Sequence, residues 1–244
     1  MKIFTFALLV VAMAACSNHP EDVHWSYSGA GGPENWGTLD PEFELCSSGM
    51  NQSPIDLSGF VDEDLDSLGV HYLPGGTEVL NNGHAIKVNY EPGSNLQVGD
   101  QSFELKQFHF HSPSENTIEG ESYPLEMHLV HADEAGNLAV LGVMFEEGEG
   151  NPVLNTIWTG IPSVEGEFGA LSPGVDAENL LPEDRNYYRF NGSLTTPPCS
   201  EGVTWMVLST IETASPSQLK VVGERMGHPN NRPLQPTNAR TILE

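Results

Sequence analysis

Basic residues are scarce in this chain: 9 Lys and Arg stand against 34 Asp and Glu in 244 residues, a formal net charge of −25. A surface this acidic repels nucleic acid and anionic lipid and favours solubility, which excludes DNA, RNA and polybasic membrane functions. The carboxylates are spread along the whole length, so most belong to a solvated surface, and a halophilic or marine source fits the excess. Long apolar runs are absent beyond the N-terminus. No later stretch approaches the roughly 20 apolar residues that a transmembrane helix needs. Cysteine is rare, with Cys16, Cys46 and Cys199 alone. Internal repeats and low-complexity tracts are lacking too, and the length suits one large β or α/β domain.

The N-terminus does carry one apolar stretch. MKIFTFALLVVAMAA (1 to 15) reads as an export signal, with an early Lys2, an apolar run too short to span a bilayer and small residues at its end. Met13-Ala14-Ala15-Cys16 also looks like a lipoprotein cleavage box, in which Cys16 becomes a lipidated N-terminus; ordinary cleavage nearby is the alternative. Residues 16 to 22 then form a short linker and 23 to 244 the domain. This reading places the protein outside the cytoplasm, in the periplasm, either free or held to a membrane through Cys16. Its oligomeric state stays open, a homodimer included. Cys46 and Cys199 are left as one pair, bridged or as two buried thiols, in a compartment where disulfides persist.

Strand signals dominate what remains. The segments 84 to 90, 102 to 111, 125 to 132, 138 to 145 and 203 to 211 are rich in β-branched and aromatic residues, with Gly, Pro, Asn or Asp between them. They predict a mainly β fold on one large central sheet. Residues 150 to 185 have Pro152, Pro162, Pro173 and Pro182 between short apolar groups, which predicts loops and brief helices packed on that sheet.

Within SFELKQFHFH, alternation puts Phe103, Leu105, Gln107, His109 and His111 on one face and Phe108 and Phe110 on the other. Further along, Glu126, His128 and Val130 share a face. If these strands are neighbours, three imidazoles converge, flanked by an amide and a carboxylate. Three nitrogen ligands with an open fourth position make a catalytic zinc arrangement, whereas structural zinc sites close the shell, usually with cysteine. Gln107 and Glu126 each precede a histidine by two and are the acceptors that metal-bound imidazoles need for their second N–H. His71, His131 and His228 read as ordinary core or surface histidines.

Ten ordered blocks together resemble the alpha-class carbonic anhydrases: GPENWG (32 to 37), NQSPIDL (51 to 57), NNGHA (81 to 85), QFHFH (107 to 111), SEN (114 to 116), EMHLVH (126 to 131), LAVLG (138 to 142), GSLTTPPC (192 to 199), VTW (203 to 205) and NRPLQP (231 to 236). The resemblance implies a single-domain, mostly antiparallel, twisted sheet of about ten strands with short peripheral helices. It implies one Zn2+ per chain, bound by Nε2 of His109 and His111 and Nδ1 of His128, and reversible hydration of carbon dioxide to bicarbonate by zinc-bound hydroxide. Gln107 and Glu126 would orient His109 and His128, and the backbone around Asn230 would orient His111. Thr195 would donate to a buried Glu115 and aim the nucleophile, and His84 would shuttle the proton at the rim of the cleft. Val130, Val140, Leu194, Val203 and Trp205 match the apolar wall for carbon dioxide; Tyr27, Asn82 and Thr196 match the polar path to His84. Lys87 and Phe190 depart from the family's usual residues. Cys46 and Cys199 match a disulfide of exported members, and Ser53-Pro54 and Pro197-Pro198 match cis peptide sites.

Two other classes compete. His109-x-His111-x-x-x-Glu115 also resembles the first metal motif of cupins, where Glu115 would be a fourth ligand to iron or manganese in an oxygenase or isomerase; that reading leaves Gln107 and Glu126 without a use. A non-catalytic carbonic anhydrase-related binding protein is the other, although such relatives typically lose zinc histidines and all three are intact here.

Overall fold

The computed structural model describes residues 24–244, so the export signal, Cys16 and the linker lie outside the described residues. The strands in chain order are β1 (Asp56–Leu57), β2 (Leu68–His71), β3 (Gly76–Asn81), β4 (Ile86–Tyr90), β5 (Asn95–Val98), β6 (Gln101–His111), β7 (Thr117–Ile118), β8 (Leu125–Ala132), β9 (Leu138–Glu147), β10 (Phe168–Val175), β11 (Tyr187–Ser193), β12 (Glu201–Leu208) and β13 (Glu212–Ala214). The α-helices are short: α1 (Trp36–Leu39), α2 (Leu45–Ser48), α3 (Pro152–Gly160) and α4 (Pro216–Met226). None of the described helices is long and apolar enough to cross a membrane.

Eleven strands build one sheet, ordered β10-β3-β4-β6-β8-β9-β12-β11, with β5 joining β2 to β6 and β13 pairing with β9. Most pairs are antiparallel, but β12 and β13 run parallel to β9, so the sheet is mixed. Its centre is β8, and burial on both faces explains why LEMHLVHA is nearly all inaccessible. On one face Phe108, Phe110, Met127 and Leu129 meet Leu154 and Ile157 of α3 and Leu219 and Val222 of α4. Helix α4 starts where Ser215 and Gln218 form a capping box before Pro216 and stops at Gly227, whose φ of 73° is the left-handed conformation that glycine tolerates best. On the opposite face Val140, Met144, Val203, Trp205 and Val207 pack with Ile55 and Leu57.

Strict alternation along β6 fails at one place. Leu105 pairs with His131 and Gln107 with Val130, which leaves Lys106 as the extra residue of a β-bulge. The bulge turns Phe103 and Leu105 to the face of Phe108 and Phe110, and all four share one core. Gln107, His109 and His111 therefore keep the other face without Phe103 and Leu105, contrary to the expectation from alternation. A second correction concerns residues 150 to 185. Besides α3 they contain β10, which edges the sheet against β3. Its register shifts between Ala170 and Val175 around Pro173, and an edge strand accepts such a residue where a central strand would not.

Cys46 and Cys199 are disulfide-bonded across 153 positions of sequence, and they pack with Trp36 in a small core of their own. A loop of that length makes the bridge worth about 5 kcal/mol in the chain-entropy model. The peptides before Pro54 and Pro198 are cis, as are those before Pro113 and Pro173.

His131 is a buried core histidine, its Nε2 2.7 Å from the Tyr72 hydroxyl and its Nδ1 3.3 Å from the Ala139 carbonyl. Burial pushes its pKa down to about 4. The unfolded chain therefore takes up this proton more readily than the folded one, and the associated stability is complete above pH 6.5 and lost as pH falls towards 4. Unfolding midpoints measured from pH 7 to 4 should fall more steeply for the natural protein than for His131→Gln, by up to about 3 kcal/mol. Parallel curves would show that His131 is not buried in its neutral form.

Candidate metal centre

The register of the central strands brings the three histidines together. His109 on β6 lies directly opposite His128 on β8, and His111 lies opposite Glu126. On the next strand Gly142 faces His128. A Cβ at Gly142 would sit 3.2 Å from the Val207 side chain and 3.4 Å from Glu126 Oε1, so a bare backbone here leaves room for the pair. The ring centroids are 5.0 Å apart for His109 and His111, 5.4 Å for His109 and His128, and 4.6 Å for His111 and His128. One ring nitrogen from each lies within 4.8 Å of the others.

Each imidazole has its own acceptor. His109 Nδ1 is 2.9 Å from Gln107 Oε1, His111 Nδ1 is 2.6 Å from the Asn230 carbonyl, and His128 Nε2 is 2.8 Å from Glu126 Oε1. An acceptor requires the N–H on the nitrogen that faces it, which leaves lone pairs on Nε2 of His109, Nε2 of His111 and Nδ1 of His128. Burial lowers the pKa of both His109 and His111, so these rings stay neutral, and His111 Nε2 is buried without a hydrogen-bond partner. Three ring nitrogens around a buried, unpartnered lone pair suit a metal ion. His109 is half-buried whereas His111 and His128 are inaccessible, so the cluster opens on the His109 side.

Glu126 has no exposed surface and accepts three hydrogen bonds, from the Glu115 and Asn116 amides at 2.7 and 2.9 Å and the Asn116 side chain at 2.8 Å, with His128 Nε2 in ion-pair range 2.8 Å from Oε1. Burial opposes its ionisation, but His128 and these donors hold its carboxyl below the usual range. Neighbouring Glu115 is also buried, with Oε1 accepting from the Arg232 amide at 2.8 Å. Its Oε2 comes 3.4 Å from His111 Nε2 and 3.8 Å from His128 Nδ1. Burial raises Glu115 to about 7, offset in part by His128, the Arg232 amide and the nearby Thr195 hydroxyl, while Oε2 itself is buried without a hydrogen-bond partner. The group able to hold a metal is the three histidines, without Glu115, among the described residues.

An apolar wall stands beside His128. Trp205 meets its ring edge-on at 4.8 Å and donates Nε1–H to the Ser193 carbonyl. Val140 pairs with Val130 on one side and Trp205 on the other, and Val203 and Leu194 complete the cluster. Phe190 stacks flat on Trp205. Lys87 lies opposite His109 on β4.

His84 sits in a tight turn held by Asn82, whose Oδ1 accepts from the His84 and Ala85 amides. The half-buried His84 ring stacks on Trp25, centroids 3.8 Å apart, with His24 at 5.9 Å. Burial and His24 lower its pKa. Tyr27 has a buried, unpartnered hydroxyl, and Thr196 lies in the turn closed by the Cys199 amide. Among the described residues, Tyr27, Asn82 and Thr196 share no direct hydrogen bond.

Two residues at the site carried no signal of their own in the sequence. Asn116 clasps Glu126 while its Oδ1 accepts from the Ile55 amide. The buried Arg232 combines its amide bond to Glu115 with guanidinium bonds to the carbonyls of Cys46 and Ser53 and to Gln52. Both lie inside the matched blocks SEN and NRPLQP, but only tertiary partners reveal their use.

Fold and site together define a mainly β protein with a three-histidine cluster, open on one side, that could hold a metal ion. Residues 31–244 match the model of the eukaryotic-type carbonic anhydrases, and the chain belongs to that family. It is 46% identical over 241 residues to a carbonic anhydrase of Neisseria gonorrhoeae, covering 98% of this chain and 95% of that one. A carbonic anhydrase of Pectobacterium carotovorum is 44% identical over 235 residues, 96% of each chain. Among solved structures, the alpha-carbonic anhydrase of Thermovibrio ammonificans in complex with the inhibitor sulfanilamide aligns with a TM-score of 0.90 and 47% identity, covering 92% of this chain and 100% of that one. Membership of this family removes the cupin alternative.

Asn116→Ala should cost about 2 kcal/mol of stability, because it strips a donor from a buried carboxylate and leaves the Ile55 amide unpaired. Denaturant unfolding measures this, and a loss below about 0.5 kcal/mol would mean that Glu126 does not depend on Asn116.

Proposed function

We propose that the chain catalyses the reversible hydration of carbon dioxide to bicarbonate and a proton, with one zinc ion held by His109 Nε2, His111 Nε2 and His128 Nδ1. The observation that carries this reading is the set of three separate acceptors, which aims three lone pairs inward, with no fourth ligand joining them among the described residues. Three nitrogens and an open position suit zinc in its catalytic form. A zinc ion held there would lower the pKa of a bound water toward neutrality, as carbonic anhydrases exemplify, and so would supply a nucleophile at ordinary pH.

The chain's own groups do the rest. Thr195 directs its hydroxyl hydrogen toward Glu115 without losing it, so its lone pair is left to accept a hydrogen bond from the attacking water and orient it. Carbon dioxide is small and nonpolar, so Val130, Val140, Leu194, Val203 and Trp205 offer it contact without donors. The proton released by hydration leaves through His84, past the polar positions Tyr27, Asn82 and Thr196. An imidazole at the surface can both take it and pass it to buffer.

The disulfide supports a location where thiols are oxidised. The proposal accordingly includes export to the periplasm with loss of residues 1 to 15 and a domain from residue 23. Anchoring through a lipidated Cys16 is the part of it that mass spectrometry of the mature N-terminus decides.

Stopped-flow hydration assays test the reading. The purified protein should hydrate carbon dioxide and carry one zinc per chain, and His128→Ala should lose both. Full activity in metal-free His128→Ala would overturn the metal role. His84→Ala should slow turnover in weak buffer by about tenfold or more and little in strong buffer. Because His84 accepts a proton only in its neutral form and its pKa is lowered, the weak-buffer rate should rise with pH through a midpoint below 6.5. An equal rate for His84→Ala and the natural protein in weak buffer would rule out His84 as the exit.

A further inference from the structure

The two half-cystines are joined twice. Beside the covalent bridge, the Arg232 guanidinium donates from Nη2 to the Cys46 carbonyl at 2.9 Å and from Nη1 to Gln52 Oε1 at 2.9 Å. Gln52 passes the connection on, its Nε2 donating to the Cys199 carbonyl at 3.0 Å. Cys46 and Cys199 are thus linked through Arg232 and Gln52 as well as through sulfur. Both side chains are inaccessible, Arg232 at 1% and Gln52 at 3% exposure.

This arrangement has more than a packing use for a cation. Among the described residues no carboxylate bonds the guanidinium; its partners are the carbonyls of Cys46 and Ser53, the Gln52 amide, and the Trp36 face 5.6 Å away. Trp36 packs against both half-cystines. Hydrogen bonds from a charged donor are among the stronger ones in a folded protein. Gln52 is held in turn by Glu201, whose Oε1 accepts from its Nε2 and from the Asn51 amide. The far end of the connection is the turn that carries Thr195, closed by the Cys199 amide on the Thr196 carbonyl and the Leu194 amide on the Ser200 carbonyl. The near end is the residue whose own amide holds Glu115. One residue therefore touches the carboxylate of the Thr195 and Glu115 pair and, through Gln52, the loop that carries the hydroxyl.

We propose that Arg232 and Gln52 are positioning residues that duplicate the disulfide, so that Thr195 keeps its place against Glu115 when the bridge is open. The protein then works in reducing as well as oxidising surroundings, and only loss of both connections releases the loop. The inference rests on the proposed roles of Thr195 and Glu115.

Four zinc-loaded proteins test it: the natural chain, Cys46→Ser with Cys199→Ser, Gln52→Met, and the three changes combined. Either connection alone should keep kcat within about threefold of the natural value, while loss of both should lower kcat about thirtyfold or more with KM and zinc content retained, a strong non-additivity. A fall of that size on bridge removal alone, or a combined effect equal to the product of the separate ones, overturns the proposal. The bridge itself gives a second readout that needs no catalysis. With dithiothreitol, the reagent's two thiols become a cyclic disulfide as Cys46 and Cys199 become thiols, and alkylation followed by peptide mass spectrometry counts each form. Gln52→Met should shift this equilibrium about tenfold towards the open form, because the thiols are no longer held together. No shift overturns the proposal, even in a protein without hydratase activity. Should Gln52→Met fail to fold, Arg232→Lys takes its place in both measurements, since a lysine keeps the charge but lacks the fork that reaches Cys46 and Gln52 together.

Discussion

The carboxylate of Glu126 is buried on β8 of the central sheet, and three donors and the His128 ring 2.8 Å away keep it charged there. Much of the site follows from that. Its bond to His128 Nε2 fixes the tautomer that turns Nδ1 toward the other two rings. Its bonds to the Glu115 and Asn116 amides pin the segment after β6, which carries Glu115 under the imidazoles. An unpaired carboxylate in this position would be prohibitively costly, so the sheet, the segment and the ring orientation are set by one charge.

Around that charge the structure divides its labour by stiffness. The three imidazoles stand on β6 and β8, central strands covered on both faces, where register leaves little freedom. Thr195, Glu115 and His84 come from turns and connecting segments, and each is tied by side chains that reach across the fold. Asn230 illustrates the economy: its carbonyl receives His111 Nδ1, its Oδ1 receives the Ser112 amide, and its Nδ2 reaches the carbonyls of His84 and Phe110. A single buried residue thus holds both the His111 ring and the turn that carries His84.

The parts legible in the sequence were those written in short-range pattern. Alternation put His109 and His111 on one face with Gln107, and Glu126 with His128, and the strands around them are as expected. Alternation could not reveal the bulge at Lys106, because an extra residue leaves no mark on composition, and it misplaced Phe103 and Leu105 for that reason. Strand β10 was hidden by Pro173 and by an exposed edge that has no apolar period. Glu115 and Thr195 looked like loop residues without the family resemblance, since their environment is built by Arg232 and Glu126 from distant parts of the chain. Asn116 and Arg232 went unnoticed: a buried polar side chain is recognisable by its partners, and partners are a tertiary property.

The central claim is that acceptors around the rings determine which nitrogens face the metal and that no protein atom fills the fourth position. Anomalous diffraction at the zinc edge on crystals of the zinc-loaded protein addresses it directly. The account predicts one peak at about 2.0 to 2.1 Å from His109 Nε2, His111 Nε2 and His128 Nδ1, with a solvent atom completing the tetrahedron. A peak bonded to Glu115, or to the opposite nitrogen of any of the three rings, would contradict it.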